Sequence, residues 1–488
     1  MNNKIIITLL LVVWAIPTFG QEDTYRLFEI VQLSRTASPA WLRAETRKEN
    51  NYWQYKTYLS DYSPQLALSG TLPNYQQNYI PITQEDGRIE YRKVRQSNVD
   101  LRLGLSQSIG KTGGTIFASS SIQQFHDFET DFTQYQGQPI AIGLVQPILQ
   151  FNQLYWNRKI NPLEYEESQK GYFEELEQIS INATRLYFDL MLAQISSQIS
   201  QINVANNDTI YKIAQGRYQL GKIGENELLQ LELNLVNSNL AVAQSEVDLQ
   251  NAALRLKSFV GIPSDAQIVL ELPDEIPEFD VDENVALNEA LKNKSDPVSF
   301  TRRVLEAEEN LARAKGTTGV QFDLFAQYGI SQSGESIGNV YQDPIRSQLI
   351  RLEMDVPLID WGRAKSRKKT AIANLKLTEY QVEQDKLNFE QEVITDVRNF
   401  TMLRQQVATR KRSDEIAQRA YNISYQLYLI GKISITDLNQ SLASKDSAKQ
   451  NYIQSLRDFW ISYFQLRYQT LYDFENTQLL VNDIQQGK

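Results

Sequence analysis

The chain has 488 residues, a formal net charge of -10 at pH 7, one histidine and no cysteine. That balance offers no basic face for a nucleic acid, and a lone histidine without cysteine cannot build the usual zinc sites. Charged residues make up 22% of the chain and are spread along it, which excludes bulk disorder.

The N-terminus reads as a targeting segment. Lys4 precedes an apolar run from Ile5 to Val13, followed by Ala15-Ile16-Pro17-Thr18-Phe19-Gly20. A charged start, a short apolar run and small residues before a cut at Gln21 predict a secretory signal peptide over residues 1–20. The run is too short to span a bilayer, and no later stretch approaches ~20 consecutive apolar residues, so no transmembrane helix is expected in the mature chain.

Strand patterns follow. Segments Pro64 to Leu72, Val99 to Ile109, Thr115 to Phe125 and Ile140 to Leu149 are strand candidates in the first half. In the second half Phe322, Leu324, Ala326 and Tyr328 alternate with polar residues, as do Ile350, Leu352, Met354, Val356 and Leu358 with Arg351, Glu353 and Asp355. Segments of about ten residues with one apolar face are the signature of an outer-membrane barrel wall; an antiparallel sheet covering a soluble core has the same alternation. On the barrel reading Arg351, Glu353 and Asp355 face the lumen, where the acidic pair favours cations. Four principal strands per chain are expected, so three chains give twelve. The first half offers an extra pair, and the sequence leaves open whether it joins the wall or forms an external hairpin.

Long helices take up most of the rest. There is no proline between Pro162 and Pro263 and none after Pro357, and between Gly362 and Gly487 the only glycine is Gly431. Proline and glycine are the main helix breakers, so this sparsity predicts two helices meeting at Gly431. The first half repeats the layout with Gly216, Gly221 and Gly224 at its turn. Ile179, Ala183, Leu186, Leu190 and Ala193 recur at helical spacing, and Leu233, Leu240, Val247 and Leu254 recur every seven residues, interleaved with Leu229, Val236 and Ala243. That periodicity predicts coiled-coil packing. From Asn157 to Leu220 such a helix runs roughly 95 Å at 1.5 Å per residue.

The chain is also written twice. Tyr218-Gln219-Leu220-Gly221-Lys222-Ile223 matches Tyr428-Leu429-Ile430-Gly431-Lys432-Ile433 at an offset of 210, and Leu228, Gln230, Tyr211 and Pro147 match Leu438, Gln440, Tyr421 and Pro357 at the same offset. Equal helices in the two halves follow from the constant offset. Ala37-Ser38-Pro39 corresponds to Ser295-Asp296-Pro297 at 258, which puts the surplus residues of the first half between its strands. The expected organisation is a first repeat over 21–260, a linker over 261–284 and a second repeat over 285–488. Each repeat has a short helix before a proline (Pro39, Pro297), strands and a long helical hairpin. Four strands cannot close a barrel, and an open edge in hydrocarbon leaves backbone groups unpaired, so several chains must share one.

The ordered set of these features resembles the TolC-like outer-membrane efflux proteins, the outer membrane factors. Its carriers are the two Tyr-x-x-Gly-Lys-Ile turns and the passages Gln146-Pro147-Ile148-Leu149-Gln150 and Val356-Pro357-Leu358-Ile359-Asp360-Trp361-Gly362-Arg363. The resemblance implies a homotrimer with a twelve-stranded barrel in outer-membrane lipid, continued by a periplasmic α-helical coiled-coil tunnel. It implies a periplasmic adaptor (membrane fusion) protein, linked to an inner-membrane pump and docking near Gly221, Lys222, Gly431 and Lys432. Tyr428 and Asp437, with Glu227 as the counterpart of Asp437, stand where such proteins place aperture residues. Ile433 and Gln440 replace charged residues of that pattern, so a gate here is expected to rely on Tyr428 hydrogen bonding and helix packing.

No enzyme is expected, and no cofactor. His126 lies in Phe125-His126-Asp127-Phe128, which reads as an external loop, and no Ser-His-Asp set is available. Gly110-Lys111-Thr112-Gly113-Gly114 lacks the phosphate-loop spacing and reads as a hairpin turn. The acidic cluster Asp274, Glu275, Glu278, Asp280, Asp282 and Glu283 reads as a solvated linker beside Pro273 and Pro277. The expected function is passive conduction of small molecules from periplasm to exterior. The exit duct of a type I protein secretion system and a pore-less periplasmic coiled-coil scaffold remain the alternatives.

Overall fold

The computed structural model describes residues 23–273 and 275–480. The expected signal peptide at 1–20 and Asp274 lie outside the described residues. In chain order the elements are β1 (Asp23–Tyr25), α1 (Leu27–Thr36), α2 (Pro39–Ser60), β2 (Gln65–Thr83), β3 (Ile89–Ile109), β4 (Gly114–Asp127), β5 (Phe132–Ile148), α3 (Gln153–Gln219) and α4 (Glu225–Val260). Then come β6 (Ile268–Leu270), α5 (Glu283–Asn293), α6 (Asp296–Gly316), β7 (Gln321–Gly334), a 3-10 turn at Ile337–Tyr341, β8 (Ile345–Asp355), α7 (Arg363–Leu429), α8 (Ile435–Thr470), β9 (Tyr472–Asp473) and β10 (Gln478–Leu479).

The repeat is carried into the helices. α3 and α7 each have 67 residues, and α4 and α8 each have 36. A short helix, α1 or α5, precedes each of the prolines at 39 and 297 as expected, and each proline also opens a second helix, α2 or α6, before the first strand. Proline's fixed φ and missing N–H suit a first helical turn.

The chain divides into two compact units that cut across the repeats. One holds the described residues of Met1–Thr46, Tyr172–Asn293 and Gln391–Lys488; the other holds Arg47–Gly171 and Lys294–Glu390. In the first unit β1 pairs in parallel with β6, aligning Asp23 with Ile268. Two of the linker acids in this unit form ion pairs. Asp280 pairs with Arg404 at 2.6 Å and Glu283 with Arg398 at 2.8 Å. A buried ion network also lies here. Arg467 meets Asp473 at 2.7 Å and Glu177 at 3.3 Å, while Arg35 meets Glu177 at 3.1 Å. Buried charges of this kind persist only when paired.

The second unit is built on one antiparallel sheet in the order β2-β3-β4-β5-β7-β8. The expectation of four principal strands is therefore corrected to six: β2 and β3 pair with each other and β3 pairs with β4 from Gln96–Asp127 to Ile109–Gly114. Turn residues 110–113 connect β3 to β4 with Gly113 at φ +77°, as the hairpin reading required. His126 is not in a loop. It lies in β4 opposite Thr133, whose Oγ1 is 2.8 Å from the imidazole Nδ1.

Candidate functional site

Two regions hold the residues singled out from the sequence: the turns of the helical hairpins in the first unit and the sheet in the second.

At each helical turn the C-terminal carbonyls of the incoming helix must find donors. Gly221 N–H donates to Tyr218 O at 2.8 Å and Lys222 N–H to Arg217 O at 2.8 Å; in the second repeat Gly431 N–H donates to Tyr428 O and Lys432 N–H to Leu427 O, both at 2.9 Å. This double bond pattern with a left-handed residue is the Schellman motif. The left-handed residues are Gly221 at φ +62° and Gly431 at φ +75°. A Cβ at either would meet nothing within 4 Å, so conformation and not space demands glycine. Lys222 and Lys432 are exposed on the outside of these turns.

The two turns share one apolar cluster. Ile210 and Ala214 of α3, Leu231 of α4, Tyr421 and Tyr428 of α7, and Ile435 and Leu438 of α8 are buried together. Tyr428 is 2% exposed. Its hydroxyl is buried and makes no hydrogen bond in this chain, which corrects the expectation that Tyr428 acts by hydrogen bonding here. Burial, with Glu227 nearby, raises the phenol's pKa, and the Arg217 guanidinium opposes that rise. Arg217 lies over the Tyr428 ring, 5.6 Å from its centre, and caps the end of α7 by donating to Leu429 O at 2.6 Å.

Asp437 is a helix cap. Ser434 N–H donates to Asp437 Oδ2 at 3.1 Å, and Asp437 N–H donates to Ser434 Oγ at 3.2 Å. This reciprocal pair is a capping box. Hydrogen bonds from the Ser434 side chain and backbone hold the Asp437 carboxyl below the usual carboxylate range. Glu227 occupies the matching position in the first turn of α4, where Gly224 supplies no side-chain cap.

Sequence reasoning missed Arg217 altogether. The signal was a break in the repeat, since the residue 210 further on is Leu427. The seven-residue stripe of α4 does not face the interior of this chain. The buried heptad is Leu231, Ser238, Ser245 and Ala252, whereas Leu229, Leu233, Val236, Leu240, Val247 and Leu254 are exposed, Leu240 to 70%. On α7 Met402, Ile416 and Ile423 make a second exposed stripe on a seven-residue repeat, continued by Ile430 just past its end.

In the sheet, register puts aliphatic side chains on one face through all six strands. Leu66 lies opposite Leu105, and Leu68 opposite Leu103. Beyond them Leu105 lies opposite Ala118, Ala118 opposite Ile142, Leu144 opposite Ala326, and Ala326 opposite Ile350. Ile350 is 80% exposed and Leu68 is 71% exposed, so this chain supplies no cover for that face. The opposite face is mostly polar or small, with Ser69, Arg102, Gly104 and Ser119 sharing it beside the ring pair of Phe117 and Phe325. Arg351, Glu353 and Asp355 lie on it in β8, opposite Phe325, Asp323 and Gln321. Arg351 pairs with Glu353 at 3.0 Å and stacks over Phe325 at 5.4 Å. No described helix is long and apolar enough to cross a membrane, and no cluster of metal ligands occurs among the described residues.

Residues 286–468 match the family described as outer membrane efflux protein. No curated protein matches the chain by sequence. Among solved structures it is similar to the CmeC outer membrane channel of Campylobacter jejuni, at 16% identity and a TM-score of 0.65, covering 94% of this chain and 88% of that one. It is similar also to the outer membrane protein VceC of Vibrio cholerae (12% identity, TM-score 0.61, coverage 91% and 95%). The open state of the Neisseria gonorrhoeae MtrE outer membrane channel is likewise similar (13%, 0.60, 91% and 88%). Identities this low speak for the shared fold alone, whereas the match over the second repeat is one of sequence. Residues 286–468 are thus similar in sequence to outer membrane efflux proteins, and the chain as a whole shares the fold of these outer membrane channels.

Proposed function

We propose that this chain is one protomer of a homotrimeric outer-membrane efflux channel, its sheet forming part of a shared barrel and its long helices part of a periplasmic tunnel. The observation that carries this reading is the aliphatic face running through six strands of a sheet with two open edges. In water such a face is costly, at about 25 cal/mol per Å² of apolar surface; in lipid it is the required exterior. Open edges are not tolerated in hydrocarbon, because their N–H and C=O groups find no partner there, so sister copies must complete the wall. The exposed apolar heptads of α4 and α7 support the same assembly at the level of the helices.

The channel is passive. An inner-membrane pump supplies the energy, and a periplasmic adaptor docks at the exposed hairpin turns around Lys222 and Lys432. Small molecules leave through the polar side of the sheet, where Arg351, Glu353 and Asp355 face water. Conduction asks for no chemical step and no cofactor.

Purification in detergent and reconstitution into planar bilayers tests the reading. Particles of three chains with discrete ion conductance are expected. A monomer that stays in solution without detergent and conducts nothing overturns it. A photo-crosslinker placed at Lys222 or Lys432 in intact cells is expected to capture a periplasmic protein; capture only by outer-membrane porins would overturn the docking site.

A further inference from the structure

We infer that the barrel completed by this chain has six strands per copy, eighteen in a trimer, and that its seam joins β8 of one copy to β2 of the next. This rests on the trimeric reading above and goes beyond it.

A strand has two hydrogen-bonding edges. Those of β4 are both taken, by β3 from Gln96–Asp127 to Ile109–Gly114 and by β5 from Thr115–Val145 to Asp127–Phe132. β4 therefore has no edge left for a neighbouring copy. β3, β5 and β7 are likewise paired on both sides, which leaves β2 and β8 as the two ends of the sheet. Six strands alternating in direction put β8 and the next copy's β2 antiparallel, as closure of such a wall needs. The resulting number is even, as in single-chain outer-membrane barrels, and lies in the range that leaves an aqueous channel.

The side chains of the β2–β3 hairpin fit a wall position. Leu66, Leu68, Leu103 and Leu105 continue the aliphatic face of β4 to β8, while Ser69, Arg102, Gly104 and Ser106 continue the polar one. An external flap in water would have no use for that continuity. Above the wall the hairpin runs on past the end of β4 and is tied to the β4–β5 turn. Glu129 holds Arg95 at 2.7 Å and Lys93 at 3.5 Å, and Tyr75 packs edge-on against Phe128.

The chain has no cysteine, so paired cysteines can test the seam in the full-length protein in outer membranes. Gln65→Cys, Ala67→Cys, Ser69→Cys and Thr71→Cys on β2 are each combined with Ser347→Cys, Leu349→Cys, Arg351→Cys and Glu353→Cys on β8. Ser119→Cys and Ser121→Cys on β4, combined with the same β8 set, provide the contrast. Mild oxidation should convert one register of the β2–β8 pairs to covalent dimers and trimers and leave the β4–β8 pairs unlinked. Intermolecular β4–β8 linkage overturns the inference by placing β4 at the seam of a smaller barrel. So does the absence of every β2–β8 linkage in particles whose native mass is that of three chains, and so does linkage confined to single chains. If the native mass is that of one chain, the trimeric reading itself fails, and the two failures are told apart.

Discussion

Arg217, near the end of α3, donates a hydrogen bond to the carbonyl of Leu429, the last residue of α7, at 2.6 Å. One repeat thus caps the helix end of the other, and the same guanidinium covers the ring of Tyr428. The bond links the two hairpin turns through a residue that the second repeat does not possess.

Arg217→Ala should loosen the turns by leaving the α7 carbonyl without this donor. Single-channel recordings should show a higher open probability, with thermal unfolding shifted downward. Tyr428→Phe should leave the unfolding temperature unchanged or raise it, because the hydroxyl it removes is buried and unpaired. Tyr428→Ala should cost about 3–5 kcal/mol, as large-to-small changes of buried aromatics do. A marked loss of stability in the Phe variant would place a hydrogen-bond partner at that hydroxyl.

Gly221→Ala and Gly431→Ala test conformation separately from space. Both glycines sit in the left-handed region with open space around a notional Cβ. Each substitution should therefore cost about 1–2 kcal/mol from backbone strain alone. Denaturant titration checks this; a penalty well above that range would point to crowding instead.

The exposed heptads should matter to assembly and not to the single chain. Leu233→Glu with Leu240→Glu on α4, or Ile416→Glu with Ile423→Glu on α7, should convert trimers in detergent to monomers. Far-ultraviolet circular dichroism should stay near that of the parent. Loss of helix in the monomer would mean that these side chains serve the chain's own interior.

Asp396 gives a pH dependence. Burial raises its carboxyl pKa, a bond from Gln465 opposes this, and nearby Glu392 adds to the rise. The folded state therefore holds the proton more tightly than the unfolded one. Stability falls as pH climbs from the ordinary carboxylate value of about 3.9 to the raised one, and the ionised group is a cost at neutral pH. Asp396→Asn should raise the unfolding temperature at pH 7 and change it little at pH 4. An equal gain at both would assign the effect to something other than charge.

Arg351 neutralises Glu353 on the polar face of β8. Arg351→Gln should increase the preference for cations, and Glu353→Gln with Asp355→Asn should reduce it, because charge lining a narrow pore sets selectivity. Reversal potentials in a salt gradient measure both. Unchanged potentials would mean that selectivity is set away from β8.

Much of this molecule was legible beforehand, for reasons that particular residues show. The offset between Gly221 and Gly431 required helices of equal length, since an insertion in either would have broken it; α3 and α7 are equal, and so are α4 and α8. Proline and glycine act within a few residues of themselves, so element ends and turns could be read locally. Alternation likewise placed Arg351, Glu353 and Asp355 on one face and Ile350, Leu352 and Met354 on the other.

Pairing between distant segments could not be read that way. Leu233 and Leu240 announced a coiled-coil seam by their spacing, but a period does not say whether the matching helix belongs to the same chain; in the fold Leu231 and Ser238 face inward instead. Arg217 looked like any charged residue near a helix end until α7 was packed beside it. The place of β2 and β3 in the sheet was open for the same reason. A strand's sequence records which face is apolar, while the partner at each edge is chosen by backbone groups that every residue shares, and only the assembled sheet decides among them.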